Sequence, residues 1–139
     1  MKYVLDASVA VKWTLQESDS DDARKLLDDI DAGLIDVAAP NTFPVEVAHA
    51  LTKAERRGVI PRGEAQLGLT EVMTASVTLH DTLPLLTRTV ELASEKRIGV
   101  YDCLYVALAE ELDCELVTAD VRLVNVFRDL SRIVLLSDL

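Results

Sequence analysis

The chain reads as a three-layer α/β/α sandwich built on a central parallel sheet of about five short strands. Three observations carry that reading. Short apolar strands such as Tyr3-Val4-Leu5 and Leu116-Val117 alternate with longer helical segments along the chain. The segment Cys103 to Ala109 is an unbroken run rich in Ala and Leu with no Gly or Pro, which makes it a helix apolar on all sides and therefore buried. The length is 139 residues, half of them hydrophobic, with no Gly/Ser/Pro-rich linker and no internal repeat, so the expectation is a single domain, 1–139.

Taken in order, Tyr3 to Leu5 is a buried strand ended by Asp6, and Ala7 to Leu15 turns straight into a helix with Asp6 or Ser8 near its start. Glu17 to Asp22 supplies capping residues for a second helix, with Ala23, Leu26, Leu27 and Ile30 at helical spacing and Gly33 as its stop. Ile35 to Ala39 is a second strand closed by Pro40. Asn41 or Thr42 caps a helix with Pro44 in its first turn, a core stripe of Val47, Ala48, Leu51 and Ala54, and an end at Arg57 before Gly58. A further helix follows Glu64 with Ala65, Leu67, Leu69 and Val72 as its apolar positions. Val77 to His80 alternates as a strand, and Thr82 to about Lys96 is amphipathic. The helix headed by Asp102 comes next, then a strand at Leu116 and Val117 with Asp120 just past its end. Val121 to Arg128 is helical and Ile133 to Leu136 is the last strand.

Charge and composition exclude several classes. The net charge of −10 argues against a general nucleic-acid coat, though not against a nucleic-acid enzyme, because bound divalent cations change the local field. Eight acids between Glu17 and Asp36 form a solvated face favoured by a helix start. No apolar stretch approaches the ~20 residues of a membrane span, and nothing before Asp6 resembles a signal peptide. Cys103 and Cys114 lack metal-ligand spacing and read as free thiols of a reducing cytoplasm. His49 and His80 have no second His or Cys at ligand spacing, so neither is assigned to a metal. Trp13, the only tryptophan, is assigned to the core or a dimer contact.

Four acids remain that chemistry can use. Asp6 and Asp120 each lie just after a strand and before a helix, while Glu46 and Asp102 lie near helix starts. Each has an ordinary explanation as a helix cap or a first-turn acid. If the Asp6 and Asp120 strands are neighbours where the strand order reverses, both carboxylates enter one crevice at the carboxyl edge of the sheet. Carboxylates gathered there repel one another and require a counter-ion, and oxygen-only ligation selects Mg²⁺ or Mn²⁺. Such an ion supports phosphodiester hydrolysis. Glu46, Lys53 and Arg57 share one stripe up their helix, either a metal-then-phosphate track or a solvated face.

The ordered motifs Tyr3-Val-Leu-Asp6-Ala-Ser8, Pro44-Val-Glu46-Val, Tyr101-Asp102-Cys-Leu-Tyr105-Val-Ala-Leu-Ala109 and Leu116-Val-Thr-Ala-Asp120 resemble the PIN domain, most closely the VapC-type toxins of toxin–antitoxin pairs. Each motif alone is weak, whereas the set in this order is specific and spans the chain. The resemblance implies a PIN-like fold and a metal-dependent endoribonuclease with Asp6, Glu46, Asp102 and Asp120 as its acidic site. It further implies Ser8 and Thr118 as supporting groups, a homodimer, and a cognate antitoxin. Within that set Asp6 and Asp102 are assigned to direct Mg²⁺ or Mn²⁺ binding, and Glu46 and Asp120 to the rest of the shell. Ser8 and Thr118 are alternatively plain helix-start caps. Lys53, Arg57 and Arg122 are candidate RNA contacts. The competing reading is a catalytically silent PIN-fold interaction subunit holding a structural cation. A receiver-like phospho-acceptor is disfavoured because no adjacent acid pair follows the first strand, and a haloacid-dehalogenase-type phosphatase because Asp6-Ala7-Ser8 lacks a second Asp.

Overall fold

The computed structural model describes residues 1–130 and 132–139. Its strands are β1 (Lys2–Leu5), β2 (Asp36–Pro40), β3 (Val77–His80), β4 (Glu115–Thr118) and β5 (Ile133–Leu135), and they form one sheet in the order β3-β2-β1-β4-β5. Every adjacent pair is parallel, with registers such as Tyr3 beside Val37 on one side and Val4 beside Leu116 on the other. Parallel pairing forces a crossover between successive strands, and helices supply it: α1 (Ala7–Val11) and α2 (Ser20–Asp31), α3 (Phe43–Arg56) and α4 (Glu64–Thr74), α5 (Leu86–Lys96) and α6 (Val100–Leu112), then α7 (Val121–Val126).

The chain builds outward from β1 to β2 and β3, then returns to the far side of β1 for β4 and β5. Right-handed crossovers in opposite directions place helices on opposite faces, which gives the three layers. α6 packs across β1, β2 and β4 with α5 beside it, while α1 packs on α3 and α3 on α4. Cys103 to Ala109 are buried without exception, and Trp13 is fully buried, its indole N–H donating to the Ala23 carbonyl at 2.9 Å. Trp13 is thus core. The acids of α2 occupy its outer face, since Ala23, Leu26, Leu27 and Ile30 turn inward. Both cysteines are free thiols.

Several boundaries differ from the sequence reading. Pro40 belongs to β2, where it stands opposite His80 at the strand end. The first helix stops at Val11 rather than Leu15. α3 buries Phe43, Val47, Leu51 and Ala54, with Ala48 only half-buried. The inner face of α4 is Ala65, Gly68 and Val72, whereas Leu67 is exposed. Gly68 is what permits that contact: a Cβ there would stand 2.3 Å from Thr14 Oγ1 and 2.8 Å from Leu51 Cδ1. A 3-10 turn at Leu83–Leu85 precedes α5, another at Arg128–Leu130 follows α7, and β5 ends at Leu135 because Leu136 opens a third such turn. Among the described residues no helix is long and apolar enough to cross a membrane.

Candidate active site

The strand order reverses between β1 and β4, and parallel α/β sheets leave a crevice at the carboxyl edge of such a point. Asp6 follows β1 directly, its backbone N–H bonded to the Val117 carbonyl of β4 at 3.0 Å. Its carboxylate is buried, 6% exposed, and is held from two sides. Oδ2 accepts from Ser8 Oγ at 2.6 Å and from Thr118 Oγ1 at 2.8 Å. Each hydroxyl proton is thereby committed, so the oxygens must accept elsewhere. Ser8 Oγ takes the Ala119 N–H at 3.0 Å and Thr118 Oγ1 takes the Asp120 N–H at 3.1 Å. The two hydroxyls thus tie the β1 end to the β4 end through Asp6, which answers the capping alternative raised for them.

Asp120 sits at the N-cap of α7, where Oδ1 accepts from the Arg122 N–H at 2.9 Å. It alone of the four acids caps a helix through its side chain. Asp6 occupies the N-cap position of α1 without a side-chain cap bond. Asp102 is the third residue of α6, behind an N-cap at Gly99, so it does not cap that helix. Its Oδ2 instead accepts from Arg122 Nη2 at 2.9 Å, and the same nitrogen lies 3.4 Å from Asp120 Oδ2. Arg122 therefore stands between two of the acids as their counter-ion.

Glu46, in the first turn of α3, enters from the neighbouring strand's unit. Its Oε2 accepts from the Tyr105 hydroxyl at 2.6 Å, and its Oε1 is buried with no partner. Burial raises the Glu46 carboxyl to about 7 against the lowering effect of the Tyr105 bond, and the charges of Asp6 and Asp102 add to the rise. Asp6 is pushed up by burial, opposed by Ser8 and Thr118, with Asp102 and Asp120 contributing in the same upward sense. These couplings are the signature of carboxylates sharing one crevice. Tyr105 was not singled out by sequence reasoning. Its signal was position: three residues after Asp102, it shares that side of α6.

Among the described residues no group of three His, Cys, Asp and Glu side chains is already arranged to hold a metal ion. The donor chemistry nonetheless suits a hard divalent cation, since all four groups offer carboxylate oxygen and Glu46 Oε1 lacks a partner. Lys53 and Arg57 lie exposed farther up α3 and past its end. His49 is exposed on α3 and His80 lies half-buried at the end of β3. An open groove of about 780 Å³ is lined by Asn41, Thr42, Val45, Glu46 and His49 from α3 and the residues before it and by Tyr101 and Asp102 of α6.

Comparison with known proteins agrees with this architecture. The family model described as PIN domain matches residues 3–129. Ribonuclease VapC3 of Pyrobaculum aerophilum is 32% identical over 130 residues, covering 91% of this chain and 95% of that protein. The crystal structure of PAE2754 from Pyrobaculum aerophilum superposes with a TM-score of 0.70 at 22% identity, covering 99% of this chain and 93% of the other. VapBC2 from Rickettsia felis, bound to a DNA fragment from its promoter, gives 0.65 at 18% identity, with 97% of each chain covered. The chain belongs to the PIN domain family.

Proposed function

We propose that this chain is a metal-dependent endoribonuclease, the toxin of a toxin–antitoxin pair. The observation that carries the reading is the convergence of Asp6, Glu46, Asp102 and Asp120 on the reversal point, with a buried oxygen of Glu46 left unpartnered. The ribonuclease name of the 32% identical relative supports the RNA substrate, and the VapBC neighbour supports an antitoxin partner. Mg²⁺ or Mn²⁺ is the cofactor that the all-oxygen set selects. A homodimer and a cytoplasmic location complete the reading.

When bound, a divalent cation supplies water activation and neutralises charge on phosphoryl oxygens. Asp6 and Asp102 would hold it directly. Ser8 and Thr118 hold the Asp6 carboxylate in place, as groups behind metal ligands do. Glu46 and Asp120 would complete its shell, partly through water, and would orient or deprotonate the attacking water. A cation held by these acids would replace Arg122 as the counter-ion of Asp102, and the guanidinium would then be available to a phosphate. At 1.5 Å per residue, Lys53 and Arg57 lie about 10 Å and about 16 Å beyond Glu46 along α3, placed for phosphates farther down a strand.

The test is cleavage of a cellular RNA pool with Mg²⁺ or Mn²⁺, with Asp102→Asn as control. Cleavage that requires the metal and disappears in the variant supports the reading. Metal binding without cleavage of any RNA returns the chain to the interaction-subunit class. Lys53→Ala and Arg57→Ala should weaken cleavage while leaving metal affinity unchanged; intact cleavage in both would make that stripe a solvated face.

A further inference from the structure

We infer that the groove beside the acids is a nucleobase subsite, in which Tyr101 stacks on the base of a nucleotide flanking the cleaved bond. The inference rests on the ribonuclease reading and deepens it. Tyr101 directly precedes Asp102 and is 63% exposed, which is unusual for an aromatic ring in a chain that buries Trp13, Tyr105, Phe43 and Phe127 almost completely. Val45, 70% exposed, lines the same groove, with His49 one turn farther along α3. The lining thus offers a planar ligand an exposed aromatic ring and an exposed apolar side chain in one groove.

Polar groups that read base edges are present at the same place. Asn41 lines the groove and is exposed, and the Thr42 hydroxyl is buried with no partner. The groove walls carry neither Lys nor Arg, so they attract no phosphate themselves. Two of the four acids, Glu46 and Asp102, are part of the same lining, where the cation would hold the reacting phosphate. A groove that begins at the phosphate site, lacks cations and offers an open ring fits the base attached to that backbone. Sequence-tolerant binding of single strands works by this division, with cations tracking phosphates and aromatic rings stacking on bases.

The test compares a short single-stranded RNA with an abasic ribose-phosphate chain of equal length and charge. Binding is read by fluorescence anisotropy in Mg²⁺, in an Asp120→Asn background to suppress cutting. The protein with Tyr101 intact should bind the base-bearing chain about tenfold or more tightly than the abasic one. Tyr101→Ala should remove that preference, Tyr101→Phe should keep it, and circular dichroism should show all three folded. Equal binding of the two chains by the Tyr101 protein, or a preference that survives in Tyr101→Ala, overturns the inference. So does a Tyr101→Ala variant that loses affinity for a co-expressed antitoxin but keeps its base preference, since the groove would then belong to a protein partner. Failure of the ribonuclease reading is seen separately, as absence of metal-dependent cleavage by the unsubstituted chain whatever the binding result.

Discussion

At the scale of single residues, the site is a balance between burial and repulsion. Glu46 is the clearest case, with its carboxyl raised to about 7 in the metal-free protein. A carboxyl whose folded pKa exceeds its unfolded value binds more protons when folded, so stability falls as pH rises through the interval between them. Metal-free protein should therefore lose stability between about pH 4.5 and about pH 7 through this residue. Asp6 pulls in the same sense. Urea unfolding in EDTA checks this: Glu46→Gln should flatten that slope and be more stable than the unsubstituted chain at pH 8. An unchanged slope would mean that Glu46 is more hydrated than its burial indicates. Tyr105 is the complementary case. Tyr105→Phe removes the donor to Oε2 and leaves both Glu46 oxygens without a partner, so Mn²⁺ affinity measured by calorimetry should fall about 10–100-fold. Retained affinity would assign Tyr105 to packing alone.

At the scale of elements, α3 does two jobs that its sequence shows only in part. Its first turn carries Glu46 to the crevice, and its inner face packs on α1 and α4. The second contact depends on Gly68. Alanine there gains about 1 kcal/mol of helix propensity, yet its Cβ would collide with Thr14 and Leu51. Overpacking costs about 1–3 kcal/mol, and Thr14 is too short a side chain to swing clear. Gly68→Ala should therefore lower stability by about 1 kcal/mol net in chemical denaturation. An increase would show that α4 shifts outward without loss. The apolar stripe expected on α4 failed at Leu67 for the same reason, because the tight approach at Gly68 sets which face turns inward. α6 followed its sequence more closely, since a helix apolar all round has no face to misassign.

At the scale of the whole molecule, four of the 24 acids meet in one crevice, where burial keeps water from dispersing their charge. Arg122 offsets two of the four carboxylates, and Glu46 and Asp6 are left to neutralise by protonation or by a cation. Saturating Mn²⁺ should raise the melting temperature of the metal-stripped protein, by about 2.7 kcal/mol of added stability at a hundredfold excess over Kd. Asp102→Asn should show a smaller gain or none. Equal gains in the two proteins would mean that Mn²⁺ binds the acidic surface at large, such as the outer face of α2, and not the crevice. The same charge makes any grip on RNA dependent on the few exposed cations of α3 and on Arg122.

Much of this was legible in the chain itself, because it depends on local patterns. Strands with β-branched and apolar runs, helices with periodic faces, and Asp6 and Asp120 immediately after strands are consequences of neighbouring residues. The alternation of strand and helix dictated a parallel sheet, since parallel strands need crossovers. Whether each acid was a cap or a member of a cluster was not a local property. Only the reversal of strand order between β1 and β4 brought Asp6 to Thr118 and Ser8 to Ala119, and only the tertiary fold brought Glu46 of α3 to Tyr105 of α6. Arg122 read as a phosphate contact because its sequence neighbours said nothing of Asp102, twenty residues earlier and 2.9 Å away. Periodicity determines what an element buries. Which side chains meet at the sheet edge is decided by the order in which the strands are laid down, and no residue carries that order alone.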